Sequence, residues 1–313
     1  PMDFESIYQH VPILEKLNYK IDYYSFEPLI DSSDASPEFW TELAEVIEMN
    51  YESFDGFVVL SGSDTMAYTA SALSFMLENL NKPVIFTGSQ LPLDVVRTDG
   101  RENLITAVEI AAAKIDDTPI VPEVCIYFEN KLYRGNRTYK YNAENFDAYQ
   151  SGNYRILAEA GVHLKYNHHL IQKPNFKKLK VHKNLDSNVA ILKLFPGISE
   201  KTVYAILNIE GLKAVVLETY GSGNAPTKKW FINALKAAID KGIIILNITQ
   251  CKRGSVIIGR YQTSIELGKI GVLSGFDMTT EAALAKLMFL LGSYSKDKII
   301  SKLQISLRGE LTK

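Results

Sequence analysis

Phe57-Val58-Val59-Leu60-Ser61-Gly62-Ser63-Asp64-Thr65-Met66 is the stretch from which the fold can be read. A short apolar run gives way to small polar residues and then to a helical pattern that begins near Asp64. In that pattern Met66, Thr69, Ala70, Leu73, Phe75, Met76, Leu77 and Leu80 recur at helical spacing, as far as Asn81 ahead of Pro83. The order is strand, turn, helix. In open α/β sheets ligands gather at the carboxyl ends of strands, where such turns lie. Ser63 and Asp64 then have two readings. They cap the helix by offering oxygens to its unpaired N–H groups, or they form a nucleophile and a ligand clamp. Taken alone, Ser61 to Met66 favour the cap.

Working outward, the same rhythm repeats. Upstream, Asp3 precedes a helical pattern carrying Ile7, Val11, Leu14 and Leu17, and residues 19–26 alternate loosely as a strand. Asp31-Ser32-Ser33-Asp34 follows as a polar turn, and Ser36-Pro37 opens a helix from Glu38 to about Tyr51. Downstream, Pro83 to Thr87 is a buried strand ending in Gly88-Ser89-Gln90, and Asp99-Gly100 opens a helix to about Lys114. Glu123 to Phe128 is a further strand, and Lys131 to Tyr141 reads as a polar β-ribbon. Alternating strands and helices predict a parallel sheet covered by helices. Such a domain normally opens on a strand, whereas this chain opens on a helix, so a strand is expected ahead of the given residues.

Length favours two domains. We expect an N-terminal α/β domain over 1–162, a connection over 163–187 and a C-terminal α/β domain over 188–313. The connection holds His163, His168, His169 and His182 and several lysines, without the spacing of a metal site. Its charges read as a solvated face. The second half predicts strands over 189–194, 213–217 and 242–247. It also predicts helices over 199–207, 228–240, 279–291 and 296–305.

Composition narrows the function. Hydrophobic residues make up 46% and charged residues 22%, as in an ordinary globular protein. A formal net charge of -2 invites neither nucleic acid nor an anionic membrane. No run approaches the ~18 apolar residues of a membrane span. Two cysteines, Cys125 and Cys251, are too few for a disulfide framework and fit a reducing compartment, so a cytoplasmic protein is expected. Gly221-Ser222-Gly223 lacks the third glycine of a dinucleotide fingerprint, and neither a metal nor a cofactor is expected. What remains is four hydroxyl-rich turns, at 31–34, 61–65, 87–90 and 222–224. Together they suggest a pocket for a small ligand bearing both charges. A carboxylate would take hydroxyls and helix N–H groups, and an ammonium would take Asp64.

The turns and their surroundings resemble the bacterial type I asparaginase family. The resemblance rests on Ser61 to Leu80, Asp31-Ser32-Ser33-Asp34, Thr87-Gly88-Ser89-Gln90 and Tyr133-Arg134-Gly135-Asn136-Arg137-Thr138. It also rests on Gly221-Ser222-Gly223-Asn224-Ala225-Pro226, Phe276-Asp277-Met278-Thr279 and Leu307-Arg308-Gly309-Glu310, and so spans the whole chain. It implies a larger N-terminal flavodoxin-like mixed sheet and a smaller C-terminal Rossmann-like parallel sheet. It also implies hydrolysis of L-asparagine to aspartate and ammonia by a homodimer or homotetramer.

Carried over by position, the resemblance makes Ser63, Asp64 and Lys140 the catalytic residues. Asp31, Ser32, Ser33, Ser63, Asp64 and Ser89 would bind substrate, with Asn224 and Tyr261 reaching into a neighbouring subunit's site. Lys140 accepts a proton only as the neutral amine, for which Arg134 and Arg137 are the expected nearby positive charges. Three departures stand out. The family's Thr-Gly-Gly-Thr-Ile strand end, and with it the first of the two threonines that the family's chemistry uses, is absent, which fits the strand expected ahead of the chain. The family's threonine is Ser63 and its preceding histidine is Ser61; serine keeps the hydroxyl and loses the methyl that restricts its rotamer. At the family's allosteric site Thr249, Gln250 and Cys251 match, but Glu218 replaces an arginine. Two alternatives share the fold: a non-catalytic amino-acid binder, and an ammonia-releasing amidotransferase subunit.

Overall fold

Phe57-Val58-Val59-Leu60 forms a strand, as its β-branched pair predicts, in a computed structural model that describes residues 7, 9–257, 259 and 262–313. The chain divides into two units, residues 1–183 and 184–313. Tyr261 and the start of the first helical pattern lie outside the described residues.

In the first unit a six-stranded sheet runs Phe57–Leu60, Val84–Thr87, Val124–Phe128, Lys131–Arg134, Ala158–Ala160, Leu164–Tyr166. The first three strands are parallel and the rest antiparallel. Val84–Thr87 and Val124–Phe128 are buried along their whole length, which explains why they read as unbroken apolar runs. Register is what matters for function. Leu60 pairs with Thr87, so the turns that follow these two strands leave the sheet side by side.

Helices Pro37–Asn50, Met66–Met76 and Gly100–Ala112 accompany this sheet. Ser36 caps the first, its Oγ accepting from Phe39 N at 3.3 Å. The Met66–Met76 helix is buried at every position except Tyr68. It is rich in alanine and serine, and Trp40 Nε1 donates to its Thr69 Oγ1 at 3.0 Å. Ile85, Ala107, Ile110, Cys125, Tyr127 and Leu132 form a core between strands and helix.

Four expectations change. The helix ends at Met76 rather than Asn81, and Leu77–Glu78 pairs antiparallel with Lys180–Val181. Asn79 takes a φ of 62°, a left-handed conformation that asparagine tolerates and a helix does not. Residues 19–26 form no strand: Tyr19, Tyr23 and Tyr24 are exposed, so no buried face selects a register. The stretch expected as a connection supplies the Leu164–Tyr166 and Lys180–Val181 strands, and the first unit runs to residue 183. The polar ribbon is broken by a 3-10 turn at Gly135–Arg137, after which Tyr139–Lys140 pairs with Tyr149–Gln150.

The second unit holds a four-stranded parallel sheet in the order Val189–Lys193, Ala214–Thr219, Ile244–Thr249, Leu273–Ser274. Helices Glu200–Leu207, Lys229–Asp240, Gln262–Lys269, Thr280–Ser293 and Lys296–Leu303 accompany it. Ser199 and Thr279 cap two of these, accepting from Thr202 N at 3.0 Å and Ala282 N at 3.1 Å. Leu192, Val215, Leu217, Phe231, Leu235 and Ile245 lie in its core. Strand Leu273–Ser274 and helix Gln262–Lys269 have no counterpart in the sequence reading, because a two-residue strand shows no periodicity.

A buried ion pair fastens the chain's last residues to this unit. Lys286 Nζ meets Glu310 Oε1 at 2.6 Å, with both side chains 0% exposed. The ammonium also donates to Ile305 O at 2.7 Å, and the carboxylate accepts from Arg308 N at 2.7 Å and Leu307 N at 2.9 Å. Burial works to raise the Glu310 carboxyl, but Lys286 and these N–H groups outweigh it and hold it below its usual value. A lowered carboxyl contributes stability above its unfolded value, about 4.3, and loses it as pH falls through the folded one. Glu310→Gln should leave the ammonium without its counter-charge and cost about 3–5 kcal/mol. The urea midpoint of the transition that includes this unit should fall accordingly. The parent's advantage over the variant should shrink as the acid titration proceeds.

Candidate functional site

Ser63 and Asp64 do not cap the helix that follows them. Its N-cap is Thr65, without a side-chain bond to the helix, and Thr65 Oγ1 instead donates to Ser32 O at 2.5 Å. The local capping rule fails because a distant lysine supplies the stronger partner. Lys140 Nζ lies 2.8 Å from Ser63 Oγ and 2.7 Å from Asp64 Oδ1. Ser63 Oγ in turn donates to Gln90 Oε1 at 3.0 Å.

Lys140 arrives there along a braced path. Arg134 Nε and Nη2 donate to Glu123 Oε2 and Oε1 at 2.6 and 3.3 Å, and Nη2 reaches Leu170 O at 2.8 Å. The Arg134 and Arg137 guanidiniums lie 4.4 and 5.1 Å from the Tyr154 ring centroid. The expectation that Arg134 lends its charge to Lys140 is corrected: Glu123 neutralises it. The Arg134–Glu123 pair braces the turn at 135–137 that delivers Lys140.

Tyr149 completes the path, from a two-residue strand that carries no periodic signal in the sequence. It pairs with Lys140 across the two-residue ladder, and its hydroxyl donates to Ser63 O. Its buried ring meets Phe128 edge-on at 5.0 Å. Burial, helped by the Asp64 charge, pushes the phenol far above its ordinary range, so it remains a donor. One side chain therefore ties the lysine's strand to the serine's backbone.

The turns at 31–34 and 87–90 meet at the same place. Asp31 Oδ1 accepts from Ser33 N at 2.8 Å and Ser33 Oγ at 2.7 Å, which holds its carboxyl below the usual value. Ser32 is buried against Gly62, where an added Cβ would stand 2.5 Å from Ser32 Oγ. A Cβ on Gly88 would stand 2.3 Å from Ser61 O. Glycine at these two positions lets the Ser32 side chain pack on one turn and brings the backbone of another against Ser61 O. Asp99 fastens the turn of Ser89 and Gln90, accepting from Gln90 N at 3.0 Å and Leu91 N at 3.2 Å. Gln90 was legible only as part of a turn. Its signal is register: it lies as far beyond Thr87 as Ser63 lies beyond Leu60, and those two residues pair.

The remaining candidates lie in the second unit. Asn224 belongs to a tight loop whose ends bond at Tyr220 N to Asn224 O, 2.9 Å, and Asn224 N to Tyr220 O, 2.8 Å. Glu218 is buried, accepts from Thr280 Oγ1 at 2.6 Å and pairs with Lys193 at 3.4 Å. Thr249 Oγ1 donates to Gly221 O at 2.5 Å, and Gln250 Nε2 to Leu194 O at 2.6 Å and Glu218 O at 2.8 Å. Both side chains are spent on the backbone. Cys251 is an exposed free thiol. Among the described residues, no group of three or more His, Cys, Asp or Glu is arranged to hold a metal ion, and no helix is long and apolar enough to cross a membrane.

Comparison with known proteins agrees over both units. Residues 1–172 match the family model "Asparaginase, N-terminal", and residues 188–303 match "Glutaminase/Asparaginase C-terminal domain". The chain is 47% identical over 290 residues to L-asparaginase 1 of Escherichia coli K12, covering 92% of this chain and 84% of that protein. It is 44% identical over 292 residues to the 60 kDa lysophospholipase of Mus musculus, covering 91% of this chain and half of that protein. The crystal structure of L-asparaginase I from Vibrio cholerae superposes with a TM-score of 0.85 at 42% identity. That match covers 93% of this chain and 86% of the other.

The packing of Gly62 on Ser32 gives a direct test. Gly62→Ala should push the 31–34 turn away and cost about 1–3 kcal/mol, as overpacking does. Thermal unfolding should show the loss, and proteolysis near residue 32 should quicken.

Proposed function

The chain belongs to the asparaginase family, and from that premise we propose that it hydrolyses the side-chain amide of L-asparagine to aspartate and ammonia. One observation carries the assignment of roles: a lysine amine within hydrogen-bond distance of both a hydroxyl and a carboxylate that lie more than 70 residues earlier in the chain.

Ser63 Oγ attacks the amide carbon while its proton passes to Lys140. The tetrahedral intermediate collapses as the amine nitrogen takes a proton and leaves as ammonia, and water then cleaves the ester. Proton transfer needs Lys140 as the neutral amine. Asp64 holds the Lys140 amine at 2.7 Å, and the substrate's own ammonium would compete for the same carboxylate. Asp64 grips the ammonium; Asp31, Ser32, Ser33 and Ser89 surround the other end of the substrate. No separate metal or cofactor enters this scheme. Asn224 and Tyr261 complete the site of a neighbouring copy in a homodimer or homotetramer working in the cytoplasm.

Ser63→Ala tests the assignment. Ammonia release from asparagine should disappear, while calorimetric affinity changes by no more than ~1–2 kcal/mol, since one hydroxyl is lost. Undiminished release would remove Ser63 as the nucleophile. A parent protein that binds asparagine and never hydrolyses it, or glutamine, would be a binder instead.

A further inference from the structure

We infer that Gln90 is a positioning residue that sets the side-chain rotamer of Ser63. The inference rests on the reading of Ser63 as the attacking hydroxyl and adds a residue to which that reading gives no role.

The orientation of the Gln90 amide follows from its partners. Nε2 donates to the carbonyl of Asn145 at 3.1 Å, and only the amide nitrogen can do so. Oε1 therefore faces Ser63 Oγ, 3.0 Å away, and because Oε1 can only accept, Ser63 donates. Gln90 is itself anchored, since its backbone N–H meets both oxygens of Asp99, at 3.0 and 3.1 Å. An amide oxygen is too weak a base to keep the hydroxyl proton, so Gln90 does not replace Lys140. What it fixes is the position of the oxygen.

That restraint answers a specific need. A threonine's methyl restricts χ1, whereas serine has three accessible wells. Lys140 alone does not select among them, because its ammonium is shared with Asp64. With Gln90 on the opposite side, the oxygen is held from two directions. The hydroxyl hydrogen must leave Gln90 for Lys140 once that amine is neutral; rotation about the Cβ–Oγ bond does this without changing χ1, so Gln90 sets the rotamer from which the transfer starts.

A double-mutant cycle on the full-length enzyme tests this, with kcat and KM for asparagine read in the Ser63 and Ser63→Thr backgrounds. Gln90→Met removes the acceptor and keeps length. Gln90→Leu is made alongside it, and the variant whose thermal melt matches the parent is assayed. In the Ser63 background kcat should fall roughly 3- to 10-fold, the loss of one ordinary hydrogen bond, with KM changed less than about 2-fold. In the Ser63→Thr background, where the methyl restricts χ1, the same substitution should cost less than about 2-fold. Equal losses in both backgrounds, or an effect confined to KM, would overturn the positioning role. Ser63→Ala separates the two levels: if it retains ammonia release, the nucleophile assignment itself fails. If it is inactive while the cycle shows no coupling, only the role of Gln90 fails.

Discussion

Lys140 must be brought to one point between Ser63 Oγ and Asp64 Oδ1 and kept there, and much of the first unit's architecture follows from that constraint. Fixing a lysine side chain costs about 1.5–2 kcal/mol of rotamer freedom. The contact with Asp64 does not offset this by itself. That carboxylate is 69% exposed, and an exposed ion pair contributes roughly 0–1 kcal/mol. The restraint therefore comes from elsewhere: the lysine's side chain is only 19% exposed, and its backbone is paired with Tyr149. Asp64 directs the ammonium, while the ladder and the packing hold it.

The same logic explains the buried Arg134–Glu123 pair. Desolvating two charges is expensive, and such a pair is weak evidence for net stability. Here it has a geometric role. Glu123 accepts from Arg134 and from Gln172 N at 2.8 Å, while Arg134 bonds Leu170 O, so the segment at 170–172 is tied to the strand edge. The turn that leads to Lys140 leaves from Arg134. A hydrophobic pair would fill the space without fixing the direction of the backbone beyond it.

The parts of this site that were legible in the sequence are those set by local periodicity. The strand at 57–60, the turn after it and the start of a helix follow from apolar spacing alone, and so do the strands at 84–87 and 124–128. The cap reading of Ser63 and Asp64 failed because it weighs neighbours and cannot see a lysine 76 residues away. Lys140 itself entered only through family resemblance, since in isolation it reads as a solvated ribbon residue. The register of Leu60 on Thr87 contained the position of Gln90, but pairing between strands is non-local, and the sequence shows each strand without its partner. Tyr149 had no local signal at all: a tyrosine in a two-residue strand makes no pattern.

The bonds around Ser63 also bear on the direction in which the proposed nucleophile would attack. A serine oxygen has one donor and two acceptor sites. The donor is directed at Gln90 Oε1, and one lone pair accepts from Lys140 Nζ. The backbone carbonyl of the same residue accepts from the Tyr149 hydroxyl, which helps to fix the backbone from which the side chain leaves. One lone pair is left, and it can point only away from both Gln90 and Lys140. On the proposed reading, a substrate whose ammonium lies at Asp64 would present its electrophilic carbon along that remaining direction. On that same reading the arrangement would select a ligand by the distance between its cation and its reacting carbon, and a carboxamide two bonds beyond the α-carbon is the side chain we assign to that distance.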